Sequence, residues 1–556
     1  MATIAENLTL LKSTKAGIKA AIEAKGVSNV GDKFSDYPAK IASIPTGGST
    51  SGVSQWTGTV DRAGLTELGW STTDIDNLQA NVRWYNWQDP DYTVVDADRS
   101  ITDISQYKNN KDVRYAKMLD TSQATDMRSK FQSCSSLTSI PALDTSQVTN
   151  MDSMLRDCYN LTSIPTLDTS QVTSMNSMFR DCSSLTSIPA LNTSQVTNMD
   201  SMFWGCTRLT SIPALDTSQV TNMQYMFNVC SSLTSIPVLD TSKVTNMDSM
   251  FSDCSSLTSI PVLDTSQVTN MRNMFSDCTR LTSIPALDTS KVTNMSYMFG
   301  YCSNLTSIPT LDTSQVTNMQ YMFNSCTSLT SIPTLDTSKV TNMGYVFFGC
   351  SRLTTIPTLN TSQVTAMNYM FGSCADLKTI PTLDTSQVTN TSGMFRYCSR
   401  LASIPTLDTS KVTDMSQMFD GCSSLTSIPA LDTSQVTNMD GVFNGCSSLT
   451  TVESIDFSSC AYKDIFPSYP RLDKLTSMHV TGSISFSWTS GGFGNIHNLD
   501  FNSIKSILEA MNRCTNPETA KTMSFKATMT DQDSQLTNLV SECNGKGWTI
   551  TGLTIN

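Results

Sequence analysis

Leu143-Asp144-Thr145-Ser146-Gln147-Val148-Thr149-Asn150-Met151-Asp152-Ser153-Met154-Leu155-Arg156-Asp157-Cys158-Tyr159-Asn160-Leu161-Thr162-Ser163-Ile164-Pro165-Thr166 is the stretch whose reading decides the fold. This 24-residue unit is written fourteen times between residues 119 and 450. Cysteine marks the period without a slip, from Cys134 and Cys158 to Cys446. One unit cannot bury its own apolar side, but stacked units bury each other's. A fixed period of this length therefore predicts a solenoid. At ~100° per residue, Met151, Met154, Leu155 and Cys158 share one side of a short helical piece, and 152, 153, 156 and 157 point away. Thr149 is placed to cap that piece, with Asp152 completing a weak capping box. Leu161 to Ile164 suit a short strand, which Pro165 cuts off because proline cannot donate to a ladder. The expected fold class is a repeat solenoid of α/β type, with parallel short strands on one face and short helices on the other.

One cysteine per unit in one register reads as a core position, where a thiol behaves as a small apolar residue. Neighbouring units lie ~5 Å apart, within reach of a disulfide, but parallel side-chain vectors make bridging awkward. Buried free thiols are expected. Aspartate holds the register of Asp144 in twelve units, with asparagine at 192 and 360. Like charges at that spacing repel by about 1 kcal/mol per pair even in water. Backbone amides of the Asp-Thr-Ser turn offset this repulsion in the simplest account. A row of calcium ions is the rival account, and no second acidic residue stands at calcium-loop spacing to support it.

These residues carry a resemblance. Leu-Asp-Thr-Ser-Gln-Val-Thr-Asn-Met, Met-Phe and Cys-Ser-Ser-Leu-Thr-Ser-Ile resemble the leucine-rich repeats of the BspA type over about three-fifths of the chain. That resemblance implies a right-handed curved solenoid with a parallel sheet on one face. It also implies an origin among surface proteins of gut and oral bacteria, protists or phages.

The copies differ mainly at the four outward positions and after the cysteine. Tyr297, Tyr321, Tyr345 and Tyr369 fill the register of Ser153 in four consecutive units, with Tyr225 three units earlier. Tyr301, Phe348, Trp204 and Tyr397 stand at neighbouring outward positions. An exposed row of tyrosines offers flat faces to sugar rings or to a partner's side chains. The plainer account has the rings stack on one another and stiffen the array. The candidate ligand surface is Tyr225, Tyr297, Tyr301, Tyr321, Tyr345, Phe348 and Tyr369.

The flanks differ from the repeats. In residues 1–45, Leu8, Leu11, Ile18 and Ile22 recur at helical spacing, and Gly26 stops the helix. Ile18-Lys-Ala-Ala-Ile, Lys25-Gly-Val and Phe34-Ser-Asp-Tyr-Pro-Ala-Lys-Ile resemble a short module near the ends of bacteriophage tail and appendage proteins. An attachment or trimerising stub is implied. Residues 46–53 form a Gly/Ser/Thr linker. Residues 54–118 hold a helix from about Thr73, then Trp84, Tyr85, Trp87 and Tyr92, read as a small aromatic core. Leu68-Gly-Trp, Asp74-Ile and Leu78-Gln resemble linker regions in tail proteins of phages of gut bacteria. Residues 101–118 are expected to cap the solenoid. In residues 451–556 Ile455, Phe457, Leu475, Val480, Ile484 and Phe486 alternate as in strands. A helix near 502–513, a strand at 522–527, a helix at 531–543 and a strand at 548–555 follow, making a degenerate-repeat region and a polar cap.

The net charge of −12 argues against a nucleic-acid backbone as partner. No run of eighteen apolar residues is present, so no membrane span is expected. The start lacks a basic segment followed by an apolar core, which reads as no secretory signal and synthesis in the cytoplasm. His479 and His497 stand apart from any nucleophile or metal pattern. No enzyme activity, cofactor or metal is expected. The expected function is that of a virion structural protein, a tail fibre or appendage held to other virion proteins by its N-terminal segment. Its solenoid would contact a host surface glycan or protein, and a homo-oligomer is possible on this reading. The alternatives are a bacterial cell-surface adhesin of the BspA type and a capsid-decorating head fibre without a receptor.

Overall fold

The computed structural model describes residues 93–96, 113–117, 121, 124–140, 142–460, 472, 474–484, 499–514, 521–531 and 534–556. The expected stub, linker, Thr73 helix and Trp84–Tyr92 cluster lie outside these residues. The chain separates into two compact units, Met1–Gln195 and Val196–Asn556.

In the first unit, β1 (Thr93–Asp96) pairs in parallel with β2 (Val113–Lys117). The coils marked by Cys134, Cys158 and Cys182 follow. Each coil turns a corner where the amide of Val148 donates to the carbonyl of Thr145 at 3.0 Å. The buried Thr145 hydroxyl donates to the carbonyl of Asp168 in the next coil at 2.7 Å. A second corner closes where Leu161 N–H donates to the Cys158 carbonyl.

Between those corners the expected helix is absent. Met154, Arg156 and Cys158 N–H donate three residues back, to Met151, Ser153 and Leu155. The intervening amides of Met151, Ser153, Leu155 and Asp157 donate to the next coil, to Ser174, Asn176, Met178 and Arg180. Ser153 and Asp157 lie at φ 55° and 61°. Positive φ at the third residue of an i→i+3 turn is the type II signature. The segment is thus a run of tight turns whose alternate amides stitch coil to coil. A helix would have spent those amides internally. Thr149 caps nothing: its amide and hydroxyl donate to the Thr125 carbonyl of the preceding coil.

Parallel pairing between coils is present; at the expected Leu-Thr-Ser-Ile position it forms a strand at Ser427–Ile428, and in the other coils it takes another register. It runs through the asparagine register as single-residue bridges, Asp126 to Asn150 to Ser174 in the first unit. On the Leu-Thr-Ser-Ile side the coils share isolated hydrogen bonds, such as Thr162 N–H to Thr138 at 3.1 Å. Proline after each isoleucine removes the donor that would extend this pairing.

The second unit repeats this coil through the eleven cysteines from Cys206 to Cys446. Its bridges run from Asn198 to Asn438. Phenylalanine replaces Leu155, and ten Phe pairs from Phe203 to Phe443 stack at 5.6 to 6.4 Å, within 9° of parallel. The thiols line the same core. All seventeen cysteines are buried, and none forms a disulfide. Cys326 Sγ donates to the Phe299 carbonyl at 3.0 Å, and the Cys302 amide donates to that same carbonyl at 3.1 Å. Each such carbonyl therefore has two donors, one from its own coil and one from the next. This explains cysteine rather than alanine at the position: a small apolar side chain with one weak donor.

The aspartate row is satisfied locally. Asp240 Oδ1 accepts from the amide and hydroxyl of Ser242 at 3.0 and 2.7 Å. These bonds hold its carboxyl below the usual range. Asn192 Oδ1 accepts from Ser194 in the same way. Because the amide does the carboxylate's work, Asp240→Asn is expected to leave the melting temperature unchanged. Asp240→Ala, which removes the acceptor, is expected to lower it. Thermal unfolding of the parent and both variants with and without calcium separates this account from a bound cation, since the cation account requires a calcium-dependent shift in the parent that both variants weaken.

The C-terminal end follows the sequence reading closely where it is described; Phe486 and His497 lie outside the described residues. β3 (Ser427–Ile428), β4 (Thr451–Asp456) and β5 (Ser477–Thr481) form a parallel sheet in that order. Helix α1 (Phe501–Asn512) packs against β5, with Asp500 as its N-cap. β6 (Lys521–Met529), α2 (Gln535–Gly545) and β7 (Trp548–Ile555) close the chain as a parallel β-α-β unit. At Gly552, φ 71°, a β-carbon would overlap the Phe525 carbonyl, so only glycine allows the irregular pairing there.

The edge of β5 that no described strand pairs is closed by side chains. Met478 N–H donates to Ser503 Oγ at 2.8 Å and Val480 N–H to Ser506 Oγ at 3.1 Å. An open parallel edge recruits other strands, and two helix hydroxyls block this one. The Ser503→Ala, Ser506→Ala double variant leaves two buried amides unpaired, each costing about 1–3 kcal/mol. Faster hydrogen exchange at Met478 and Val480, with a lower melting temperature, is the expected result.

Candidate functional site: the turn face of the second unit

The run of turns determines what each coil shows on this face. Its outward residues sit at the left-handed positions and their neighbours, so the backbone there favours Gly, Asn, Asp and Ser. Six glycines with positive φ fall in these two registers, among them Gly205, Gly349 and Gly445. That enrichment was the sequence signal for turns, and helical periodicity obscured it.

Against this background, Tyr297, Tyr321, Tyr345 and Tyr369 adopt φ between 54° and 61°. A bulky residue in this region carries about 1–2 kcal/mol of strain. The rings recover energy by stacking, with centroids 4.3, 4.6 and 4.9 Å apart and planes within 14°. Phe348 leans against Tyr345 and meets Tyr369 edge-on. The four tyrosines and Phe348 are half-buried.

The rings stack on one another, as in the plainer of the two accounts drawn from sequence. The faces are turned to one another, and the row presents ring edges and hydroxyls. Burial, then the neighbouring phenol of Tyr297, pushes the Tyr321 hydroxyl up to about 12.

The structure does not gather every candidate. Tyr225 lies three coils away, stacked on Trp204 at 4.9 Å. Tyr301 is 44 % exposed, one turn further along its coil than Tyr297. Three residues unremarked in the sequence complete the C-terminal end of the row. A β-carbon on Gly393 would meet the Tyr369 ring, and one on Gly372 would meet the Phe348 ring. Glycine at both places lets the rings lie down on the next coil. Tyr369 Oη then donates across that coil to Gln417 Oε1 at 3.1 Å. Beyond it, Arg396 bonds Asp420 at 2.9 Å and lies 4.7 Å from the Tyr397 ring centroid.

The family model described as "Mycoplasma protein of unknown function, DUF285" matches residues 100–211, 197–307, 256–354, 280–379, 330–406 and 396–465. The chain belongs to this family. Family membership spans residues 100–465, which contain every coil and the whole turn face. No curated protein matches the chain. Among solved structures it is similar to a leucine-rich repeat protein from Eubacterium ventriosum, with 21% identity, 56% of this chain, 83% of that one and a TM-score of 0.37. It is also similar to the leucine-rich repeat protein of T. pallidum, with 22% identity, 34% of this chain, 76% of that one and a TM-score of 0.24. The Drosophila Toll–Spatzle complex matches at 13% identity over 76% of this chain and 54% of that one, with a TM-score of 0.19. Among the described residues no helix is long and apolar enough to cross a membrane.

Proposed function

We propose that this chain works by recognition rather than catalysis, with the aromatic turn face of its second unit as the contact surface. One observation carries the reading. Four consecutive coils place tyrosine where the backbone favours glycine or serine, while the core positions hardly change from coil to coil. Strain held at a surface, away from the core, points to use.

The setting proposed first is a virion appendage such as a tail fibre. Residues 1–45 would join other virion proteins, and the turn face would touch a glycan or protein on the host cell. The resemblance of the N-terminal segment to phage appendage modules supports it. A BspA-type adhesin on a bacterial surface is the second reading, favoured by membership in a family described from Mycoplasma.

Purified full-length chain, applied to a glycan array and to intact bacterial cells, tests the recognition step. Tyr321→Ser with Tyr345→Ser keeps the fold, because serine fills this register at Ser153 and Ser249 with the same φ. At least a tenfold loss of binding is expected. Equal binding by parent and variant removes the ladder from the contact surface. No binding by the parent leaves a purely structural part, such as a head fibre. Cryo-microscopy of purified particles, set beside labelling of intact cells, separates virion from cell surface.

A further inference from the structure

We propose that the stacked tyrosines form a covalent cross-linking site: a one-electron oxidant joins neighbouring coils through a dityrosine bond within one chain. Tyr297, Tyr321, Tyr345 and Tyr369 hold their rings nearly parallel, with centroids no more than 4.9 Å apart. Two phenols so placed need only tilt at their free edges for their ring carbons to meet. Those edges carry the hydroxyl and the Cε atoms beside it, where the unpaired electron of a phenoxyl radical resides. Among the described residues, no other two tyrosines stack in this way.

Competition favours these rings. Thiols normally quench tyrosyl radicals first, yet every cysteine is buried. The repeat methionines that fill the core, such as Met322 and Met370, are buried as well. The half-exposed phenols therefore meet a diffusing oxidant before the sulfur atoms do. The buried cysteines form no disulfide between coils, so a carbon–carbon bond at the surface is a covalent staple open to the array.

The step balances as follows. Each phenol gives one electron to the oxidant and its hydroxyl proton to water. The two phenoxyl radicals pair their electrons in one Cε–Cε bond. As each ring regains aromaticity, its Cε hydrogen leaves as a proton and the oxygen takes one up. Two equivalents of oxidant are reduced, two protons are released, and the product is lighter by two hydrogen atoms.

The test oxidises dilute full-length chain with photogenerated tris(bipyridyl)ruthenium(III) and examines the monomer fraction. Dityrosine fluorescence is expected there, with digests yielding linked peptides that pair Tyr297 with Tyr321, Tyr321 with Tyr345 or Tyr345 with Tyr369. Tyr321→Phe with Tyr369→Phe preserves the stack but leaves the Tyr297 and Tyr345 phenols two coils apart, with a phenylalanine ring between them. Linked product in the monomer is then expected to fall at least tenfold. Links confined to dimers, links between other tyrosines, or an undiminished yield in the double variant would overturn the proposal. None of these readouts depends on what the turn face binds.

Discussion

As pH climbs past about 9, the second unit is expected to lose stability steeply. Ten of its in-register thiols, from Cys230 to Cys446, have ionisation pushed up from 9.0 by burial, those of Cys350, Cys398 and Cys446 to about 12. Folding keeps them protonated, and unfolding lets them ionise near their ordinary value. A group with a raised folded value contributes its full stability below the unfolded value and loses it as pH climbs toward the folded one. The window here opens near pH 9 and extends to about 12.

Within the window each released thiol removes about 1.4 kcal/mol per pH unit. A stacked array opens coil by coil, so each opening releases the thiols of the coils it exposes, and every such opening becomes easier as pH climbs through the window. Urea unfolding followed by circular dichroism at pH 7, 8, 9 and 10 should show a midpoint that is flat to pH 8 and then falls steeply. Cys350→Ala with Cys398→Ala should reduce the slope by the share of two thiols. A midpoint constant from pH 8 to 10 would show that these thiols are not held in the core.

Phe323→Ala carries the second-largest expected effect. Phe323 is fully buried between Phe299 and Phe347, 5.7 Å from each. Its amide bonds Val346 in the next coil, and its carbonyl accepts from Cys326 N–H and Cys350 Sγ. Truncation leaves a cavity where neighbouring coils meet and costs about 3–5 kcal/mol. In a stacked array the damage is a nearest-neighbour interface loss, so it should appear as local opening rather than a uniform shift. Hydrogen exchange is expected to accelerate from coil 299 to coil 347 and to stay slow near Phe227. Phe323→Leu should cost less than about 1.5 kcal/mol, since the first unit already carries Leu155 at this position, fully buried. Equal losses for Ala and Leu would mean that the stack does not set the stability of these coils.

Much of this architecture was legible in residue order. The period, the inward side, the buried free thiols and the local satisfaction of the aspartates all follow from one demand. Every unit must bury the same side chains against copies of itself, so spacing alone names them. The C-terminal elements were legible too, because α1, β6, α2 and β7 each have the length and periodicity of ordinary elements.

The turns were not legible. Met151, Met154, Leu155 and Cys158 fall on one side of a helix, and they fall on one side of a run of i→i+3 turns as well. Burial at that spacing cannot separate the two. What separates them is where the amides of Ser153 and Asp157 find acceptors, and those acceptors lie 23 residues away in sequence, at Asn176 and Arg180. The tyrosine row divides in the same way. Its membership is written in the chain at a 24-residue spacing. Whether its rings turn their faces to solvent or to each other depends on the pitch of the coils and on the room that Gly372 and Gly393 leave for the Phe348 and Tyr369 rings. Only the stacked structure sets that pitch, because it arises from hydrogen bonds between coils and not from any residue within one.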